Sequence, residues 1–324
     1  MAVTQIVRNR AQGRGRSLWS RRNSGLYTPR HSLFPLDGLE LYAPLWFPDC
    51  GSIDNGTGIA SSVPQALKPP AATTITVTQA GTFVIHLPAG VTGTVASGTA
   101  TITGSPVALT GGNNTVTAEG TGTFTVTIAS LVSKDLNAHV MTVTGVVLGA
   151  DGGTFEGSVD LISLGNPSAL NFTGSFSIVI WIEVDDATAT GGFISKWVAN
   201  DQAYVLIVVG SKSAIYVTNT AAAWDANRAS SANLVNNTWV QVAAVYTSGG
   251  TPTLNMYLNG ALDNGTLTGT VPASVRVSAA NVILGRNGAS QNMNGTIGEV
   301  LVYNRALTAA EVLHIYNSTK WRYR

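Results

Sequence analysis

Apolar side chains recur at every second position through long stretches of this chain, and that spacing admits strands and excludes amphipathic helices. In "TTITVTQAGTFVIHLP", Ile75 and Val77 and then Phe83, Ile85 and Leu87 fall on one face. Ile102, Val107, Leu109, Val116, Phe124, Val126 and Ile128 continue the pattern. Turn residues interrupt it at Gln79-Ala80-Gly81, Gly111-Gly112-Asn113-Asn114 and Gly120-Thr121-Gly122. About six or seven short strands at this spacing predict a small antiparallel sandwich over 67–131. Glu119 is the one charged residue between Lys68 and Lys134, so threonine hydroxyls must keep its outer face wet.

From residue 132 onward the strands lengthen. Phe176, Ile178, Ile180 and Ile182 alternate with Ser177, Val179 and Trp181, so this strand is apolar on both faces, as a central strand between two layers must be. Trp239–Tyr246 reads the same way. Asn259-Gly260 in "LNMYLNGALDNG" is a two-residue hairpin signal. One helix is expected: Thr308 and Glu311 form a Ser/Thr-x-x-Glu capping box, Leu307 and Val312 occupy the staple positions, and Leu313 and Tyr316 are placed toward the core.

Charge divides the chain in two. The first thirty residues carry seven arginines and no acid, and the first carboxylate is Asp37. The remaining 294 residues hold 11 Lys/Arg and 17 Asp/Glu, so a net charge of +1 conceals an arm of +7 and a body of −6. The arm, 1–37, has too little apolar surface to order itself, and Gly13, Gly15, Pro29 and Pro35 oppose regular structure. Extended, it spans up to about 120 Å. Its arginines could neutralise phosphates or form bidentate pairs with carboxylates of a partner protein. The interleaved Trp19, Tyr27 and Phe34 favour docking on protein, because such side chains anchor in partner pockets. The expected docking residues are Arg8, Arg10, Arg14, Arg16, Trp19, Arg21, Arg22, Tyr27, Arg30 and Phe34, lying along other subunits of a large assembly; nucleic acid is the lesser alternative. The C-terminal "WRYR" at 321–324 repeats the theme.

The single cysteine, Cys50, allows no intrachain disulfide. The N-terminus lacks the apolar stretch of a signal peptide, and no run approaches the roughly 18 apolar residues of a membrane span. Synthesis in a cytoplasm and no membrane partner are the expectations.

The C-terminal zone resembles the laminin G-like, concanavalin A-like jelly-roll lectin/glucanase superfamily. The matching segments, in order, are "GTFEGSVDLISL" (153–164), "FSIVIWIEV" (176–184), "GGFISKW" (191–197), "NNTWVQVAAVY" (236–246), "LNMYLNG" (254–260), "VILGRN" (282–287) and "NGTIGEVLVYNRALTAAEV" (294–312). "GLELYAPLWFPDCGS" (38–52) resembles the family's opening strand, whose sequel resumes only at "SKDLNAHVMTVTGV" (133–146). The fold class implied is all-β: a jelly-roll sandwich over 132–324 with a C-terminal helix, its first strand and a connector in 38–66, a small β-sandwich inserted at 67–131, and the extended basic arm at 1–37. Three domains in sequence, with 38–66 a linker, is the alternative. Proteins of this build resemble phage virion proteins that carry laminin G-like modules on capsids or tails.

Catalytic members of the superfamily use a Glu-x-Asp-x-x-Glu strand, in which alternation brings two carboxylates to one face. The nearest match, Glu183-Val184-Asp185, is followed by Ala187, Thr188 and Ala189 and has no second glutamate, so no enzymatic activity and no catalytic residue are expected. His31, His86, His139 and His314 are scattered, without zinc-ligand spacing. No cofactor is expected, although many relatives bind calcium through loop oxygens, for which Asn200 and Asp201, with Asp225 and Asn227, are candidates; ordinary Asx turns explain them equally. Sugar binding needs an exposed aromatic face beside amides and carboxylates. By the family match Trp181 and Trp239 belong to the core. Trp224, in a loop beside Asp225, Asn227 and Arg228, is the stacking candidate, with Trp197 second; packing of Trp224 against the sandwich is the alternative. The expected function is that of a non-enzymatic virion structural protein, a capsid decoration or a tail or fibre component; a glycan-active hydrolase of the same fold and an internal nucleic-acid-associated virion protein are the alternatives. The arm docks it to a major capsid or tail protein and to copies of itself, and a lectin-like domain on the outer surface stabilises the shell or meets surface glycans.

Overall fold

A computed structural model of the chain describes residues 35, 37–45, 52–54, 65–66, 72–128, 130–132, 139–149, 151–220, 223–288 and 291–323. The docking residues assigned to the arm, Arg8 through Phe34, lie outside the described residues.

Two large antiparallel sheets stack to form the jelly roll. One runs, in spatial order, Val147–Leu148, Gly153–Glu156, Asn294–Tyr303, Phe176–Val184, Val240–Thr247, Thr253–Leu258 and Ala261–Leu262. Leu39–Pro44 joins this sheet by pairing with the distal half of Asn294–Tyr303, from Leu39 opposite Tyr303 to Pro44 opposite Glu299. The other sheet runs Ser130–Val132, Val140–Thr144, Leu161–Ser163, Val282–Leu284, Gly191–Val198, Asp201–Val209, Lys212–Val217, Ala226–Ser230 and Asn264–Gly269. Inward positions from both sheets form one core. Phe176, Ile178, Ile180 and Ile182 meet Tyr204, Leu206, Val208, Ile215 and Val217, all buried. Phe172, Phe176, Tyr204 and Tyr246 cluster at its centre with ring centroids 5.1–5.8 Å apart. Both tyrosine hydroxyls find carbonyl partners, Tyr204 donating to Leu170 O at 3.2 Å and Tyr246 to Pro272 O at 2.6 Å. Satisfying those hydroxyls is what permits so large an aromatic group inside.

The small sandwich has six strands between residues 72 and 128, with a separate core. Every apolar residue assigned to that core by alternation is buried except Val107, which is partly so. Phe83 and Phe124 stack across the two layers at 4.7 Å. Its boundary differs from the expected residue 67. Ser52–Asp54 pairs with the Gly81–Leu87 strand, and Gln65–Ala66 pairs with Ser52–Asp54, so part of the expected connector is hydrogen-bonded into this sandwich. Ser130–Val132 instead pairs with Val140–Thr144 of the jelly roll. The Asn259-Gly260 turn has φ of 50° and 80°, the left-handed pair that a two-residue hairpin requires.

The helix spans Ala309–Thr319 and starts with the expected reciprocal cap, Glu311 N–H to Thr308 Oγ1 at 3.2 Å and Thr308 N–H to Glu311 Oε2 at 2.8 Å. Its buried residues are Val312, Ile315 and Thr319. Leu313, expected on the core side, is instead 46% exposed, because the stripe at spacings of three and four runs through Val312 and not through its neighbour. Arg305 binds Glu311 bidentately at 2.7 and 3.0 Å and Asp37 Oδ2 at 3.1 Å, so one guanidinium joins the entry of the first strand to the start of the last helix. No helix among the described residues is long and apolar enough to cross a membrane.

Two predictions follow from these contacts. All seven tryptophans lie outside residues 72–128, so their fluorescence reports on the rest of the chain. Phe124→Ala should cost the small sandwich about 3–5 kcal/mol. A calorimetric transition should therefore shift while the tryptophan-detected midpoint stays; a common shift of both signals would contradict separate cores. The Arg305 bidentate pair and the cap lower the Glu311 carboxyl from 4.5 to about 2. A depressed folded-state value stabilises above about pH 4.5, and the contribution is lost as pH falls toward 2. Thermal midpoints measured across that window should fall more steeply for the natural chain than for Glu311→Gln.

Candidate functional site

Strand alternation gives the nine-stranded sheet an outward face that is itself apolar. On Asp201–Val209, Tyr204, Leu206 and Val208 point inward, which leaves Val205, Ile207 and Val209 outward. On the adjacent strand Tyr216 stands opposite Val205 and Ala214 opposite Ile207, on the same face. Trp224, in the loop after Lys212–Val217, packs edge-on against Tyr216 with centroids 5.7 Å apart and planes at 63°.

The opposite wall comes from a hairpin that folds back over the sheet, Arg286–Asn287 paired with Gln291–Asn292. Ser195 Oγ donates to Arg286 O at 2.7 Å and pins it. Gly191 and Gly192 make room for it: a Cβ on Gly192 would stand 2.5 Å from Asn287 N, and one on Gly191 would stand 2.8 Å from Asn292 O. Asn287 Nδ2 donates to Gln291 Oε1, which fixes both amides at the rim. Thr190, Val205, Ile207, Val209, Tyr216, Trp224, Asn287 and Gln291 enclose about 160 Å³. The floor is aliphatic, one wall is aromatic, and the other is planar amide and hydroxyl. Partial burial raises the Tyr216 phenol, so it is neutral at physiological pH and both donates and accepts.

The residues expected at this site divide. Trp224 lines the pocket, half-buried, with its indole packed against Tyr216. Asn227 stands opposite Tyr216 in register and so shares its face. Asp225 does not line the pocket. Its Oδ2 accepts from Asn219 N–H at 2.7 Å and from Thr218 Oγ1 at 3.2 Å, and so holds the loop that carries Trp224. Arg228 stands opposite Ile215, a core residue, and therefore takes the other face, where Nη1 donates to Gly265 O at 3.0 Å. Trp197 joins the same outward apolar cluster but is covered: its Nε1 donates to Gln202 Oε1, and a Cβ on Gly288 would lie 1.4 Å from its ring. Tyr216, Thr190, Asn287 and Gln291 were not anticipated. Alternation around Ile215 and Val217 could have exposed Tyr216, whereas the hairpin residues reach the pocket only through tertiary folding.

The calcium candidates have other work. Asn200 occupies the left-handed position, φ 63°, of the two-residue turn between Val198 and Asp201. The Asp201 carboxylate binds Arg276 at 2.9 Å and accepts from Ala279 N–H at 2.8 Å. Lys196, fully buried, lies close enough to feel Asp201 and donates to Asn166 Oδ1 at 2.5 Å and Ala280 O at 2.7 Å. Burial draws its ammonium down to about 8 against that attraction. With Arg276 and Ala279 N–H already on the Asp201 carboxylate, this cluster fixes loops. Glu183 lies on the outward face of the other sheet, in register with Thr296. Partial burial, then Asp185 and Asp151, raise its carboxyl. Asp186 instead accepts from the N–H and hydroxyl of Thr188 at 2.9 and 2.6 Å, an Asx turn that lowers its carboxyl. Trp181 is buried as expected, but Trp239 is only half-buried.

Residues 156–313 match the family model described as the concanavalin A-like lectin/glucanases superfamily, and the jelly roll has that superfamily's fold. Among solved structures, the binding domain of Paraclostridial Mosquitocidal Protein 1 aligns at 15% identity and a TM-score of 0.47, over 58% of this chain and 49% of that one. The binding domain of botulinum neurotoxin DC, in complex with SialylT, aligns at 14% identity and 0.46, over 58% and 48%. The botulinum neurotoxin serotype G binding domain aligns at 16% and 0.47, over 57% and 48%. The chain thus spans about half the length of the solved structures it matches. A search of the curated proteins found no match.

Proposed function

We propose that the jelly roll is a non-catalytic carbohydrate-binding module whose ligand stacks against Trp224 and Tyr216. The pocket on the outward face of the nine-stranded sheet carries this reading: an aromatic wall for the apolar face of a pyranose, opposite Thr190, Asn287 and Gln291, whose hydroxyl and amides can donate to and accept from sugar hydroxyls. Asn227 adds an amide beside Tyr216. Its volume of about 160 Å³ is below the roughly 300–1,000 Å³ of sites that engulf a small molecule, so a shallow, weak contact with part of a glycan is what it suits. The Glu183-Val184-Asp185 acids sit on the opposite sheet and cannot serve a sugar held at Trp224.

Weak contacts become firm attachment when many copies act together. The basic arm supplies the means: seven arginines and no acid in thirty residues, with Trp19 and Tyr27 interleaved, suit burial along other protein subunits. The assembly we infer is a virion, with the chain a capsid or tail component whose lectin-like domain faces outward, made in the host cytoplasm. Its partners are then a major capsid or tail protein and further copies of itself.

Trp224→Ala should abolish retention on a glycan array while circular dichroism and the thermal midpoint are preserved. Deleting residues 1–36 should leave monovalent sugar binding intact and remove the chain from the assembly. Undiminished retention by folded Trp224→Ala would reject the pocket, and assembly without the arm would reject the docking role.

A further inference from the structure

The outward face of the eight-stranded sheet carries a second cleft, where the C-terminal helix covers it. Trp181 and Gln241 stand opposite each other on that face. Asn259 continues the row, with Asn259 N–H donating to Gln241 O at 2.9 Å and Gln241 N–H to Asn259 Oδ1 at 3.0 Å. Trp181, Trp239, Asn259, Tyr316, Lys320 and Tyr323 enclose about 300 Å³, nearly twice the first pocket. Tyr323 stacks on Trp181 at 4.4 Å and leans on Trp239 at 4.7 Å, and Tyr316 stacks on Trp181 at 5.8 Å. Trp181 is locked in place by its Nε1, which donates to Thr319 Oγ1 at 2.8 Å.

Two groups here exceed what packing requires. Gln241 is completely buried, and neither Oε1 nor Nε2 has a hydrogen-bond partner among the described residues. A buried amide left in that state is costly, and it lies on the strand between Trp181 and Asn259, behind the residues that line the cleft. Lys320 Nζ lies 5.0 Å over the Tyr316 ring and makes one hydrogen bond, to Asn317 Oδ1 at 2.7 Å, which leaves N–H donors to spare. No carboxylate among the described residues pairs with it.

We propose that this cleft binds a carboxylated pyranose. The Lys320 ammonium receives the carboxylate, the half-buried Trp239 and Tyr316 rings take the C–H face of the sugar, and the Asn259 side-chain amide in the cleft wall meets its hydroxyls. A neutral sugar would leave the ammonium unused, and a simple carboxylate would leave the Asn259 amide and the rings unused. The site shares no residue with the Trp224 pocket and faces out from the other sheet, so it stands whether or not that pocket binds glycan.

The test is calorimetric titration of the full chain with glucuronate, N-acetylneuraminate, glucose and acetate, with saturation-transfer NMR to map the bound ring. At least one of the two acidic sugars should bind, and which one identifies the source of the carboxylate. Glucose and acetate should bind about tenfold or more weakly. Lys320→Gln should weaken the acidic sugar by about tenfold or more, and it preserves the helix end because the cap there is the backbone N–H of residue 320 to Tyr316 O at 2.9 Å. Trp224→Ala should leave this binding unchanged. Absence of binding by both acids, equal affinity for glucose, or undiminished affinity in Lys320→Gln would overturn the proposal.

Discussion

Asn294–Tyr303 is bonded along both edges, and the jelly roll depends on that double pairing. One edge meets Phe176–Val184 from Tyr303 opposite Ser177 to Gly295 opposite Val184. The other is shared end to end by Leu39–Pro44 and Gly153–Glu156, so segments more than a hundred residues apart in sequence complete one edge. The Leu39–Pro44 strand therefore has its sheet partner only in a ten-residue strand late in the chain. Such non-local closure is costly in chain entropy, and burial of Ile297, Val300 and Val302 in the common core offsets it. Arg305, which follows at once, ties Asp37 and Glu311 to the same end.

The same architecture explains why two clefts form. Central strands buried on both faces carry apolar and aromatic residues outward as well as inward. On the eight-stranded sheet the helix and Tyr323 cover Trp181; on the nine-stranded sheet the paired strands Arg286–Asn287 and Gln291–Asn292 and the Trp224 loop cover part of Val205, Ile207 and Val209. Neither cover is complete. Each leaves aromatic rings beside amides at a margin that water and ligands can reach, while the side chains beneath are fixed by the packed core.

Much of the fold was legible because period-two alternation is a local signal. Ile75, Val77, Phe83, Phe124 and Val126 are buried as their spacing implied, and the capping box at Thr308 formed because both partners lie within one turn. Leu313 was misplaced because a helix of one short stripe leaves its phase open by one residue. The site was legible only in part. Trp224 could be found as an aromatic in a polar loop, but Arg228 was adjacent in sequence and opposite in face, a distinction set by its pairing with Ile215. Asp225 resembled a ligand-binding acid and instead holds its own loop. Asn287 and Gln291 carry no local signal at all, since their position depends on a hairpin crossing over Gly191 and Gly192.

The most direct test of the account is hydrogen–deuterium exchange on the full chain with and without a pool of mixed oligosaccharides. Added glycan should slow exchange in the strands 205–209 and 214–217 and in the hairpin strands 286–287 and 291–292, three of the segments that build the Trp224 pocket. Unchanged exchange there, with protection confined to other parts of the chain, would contradict it.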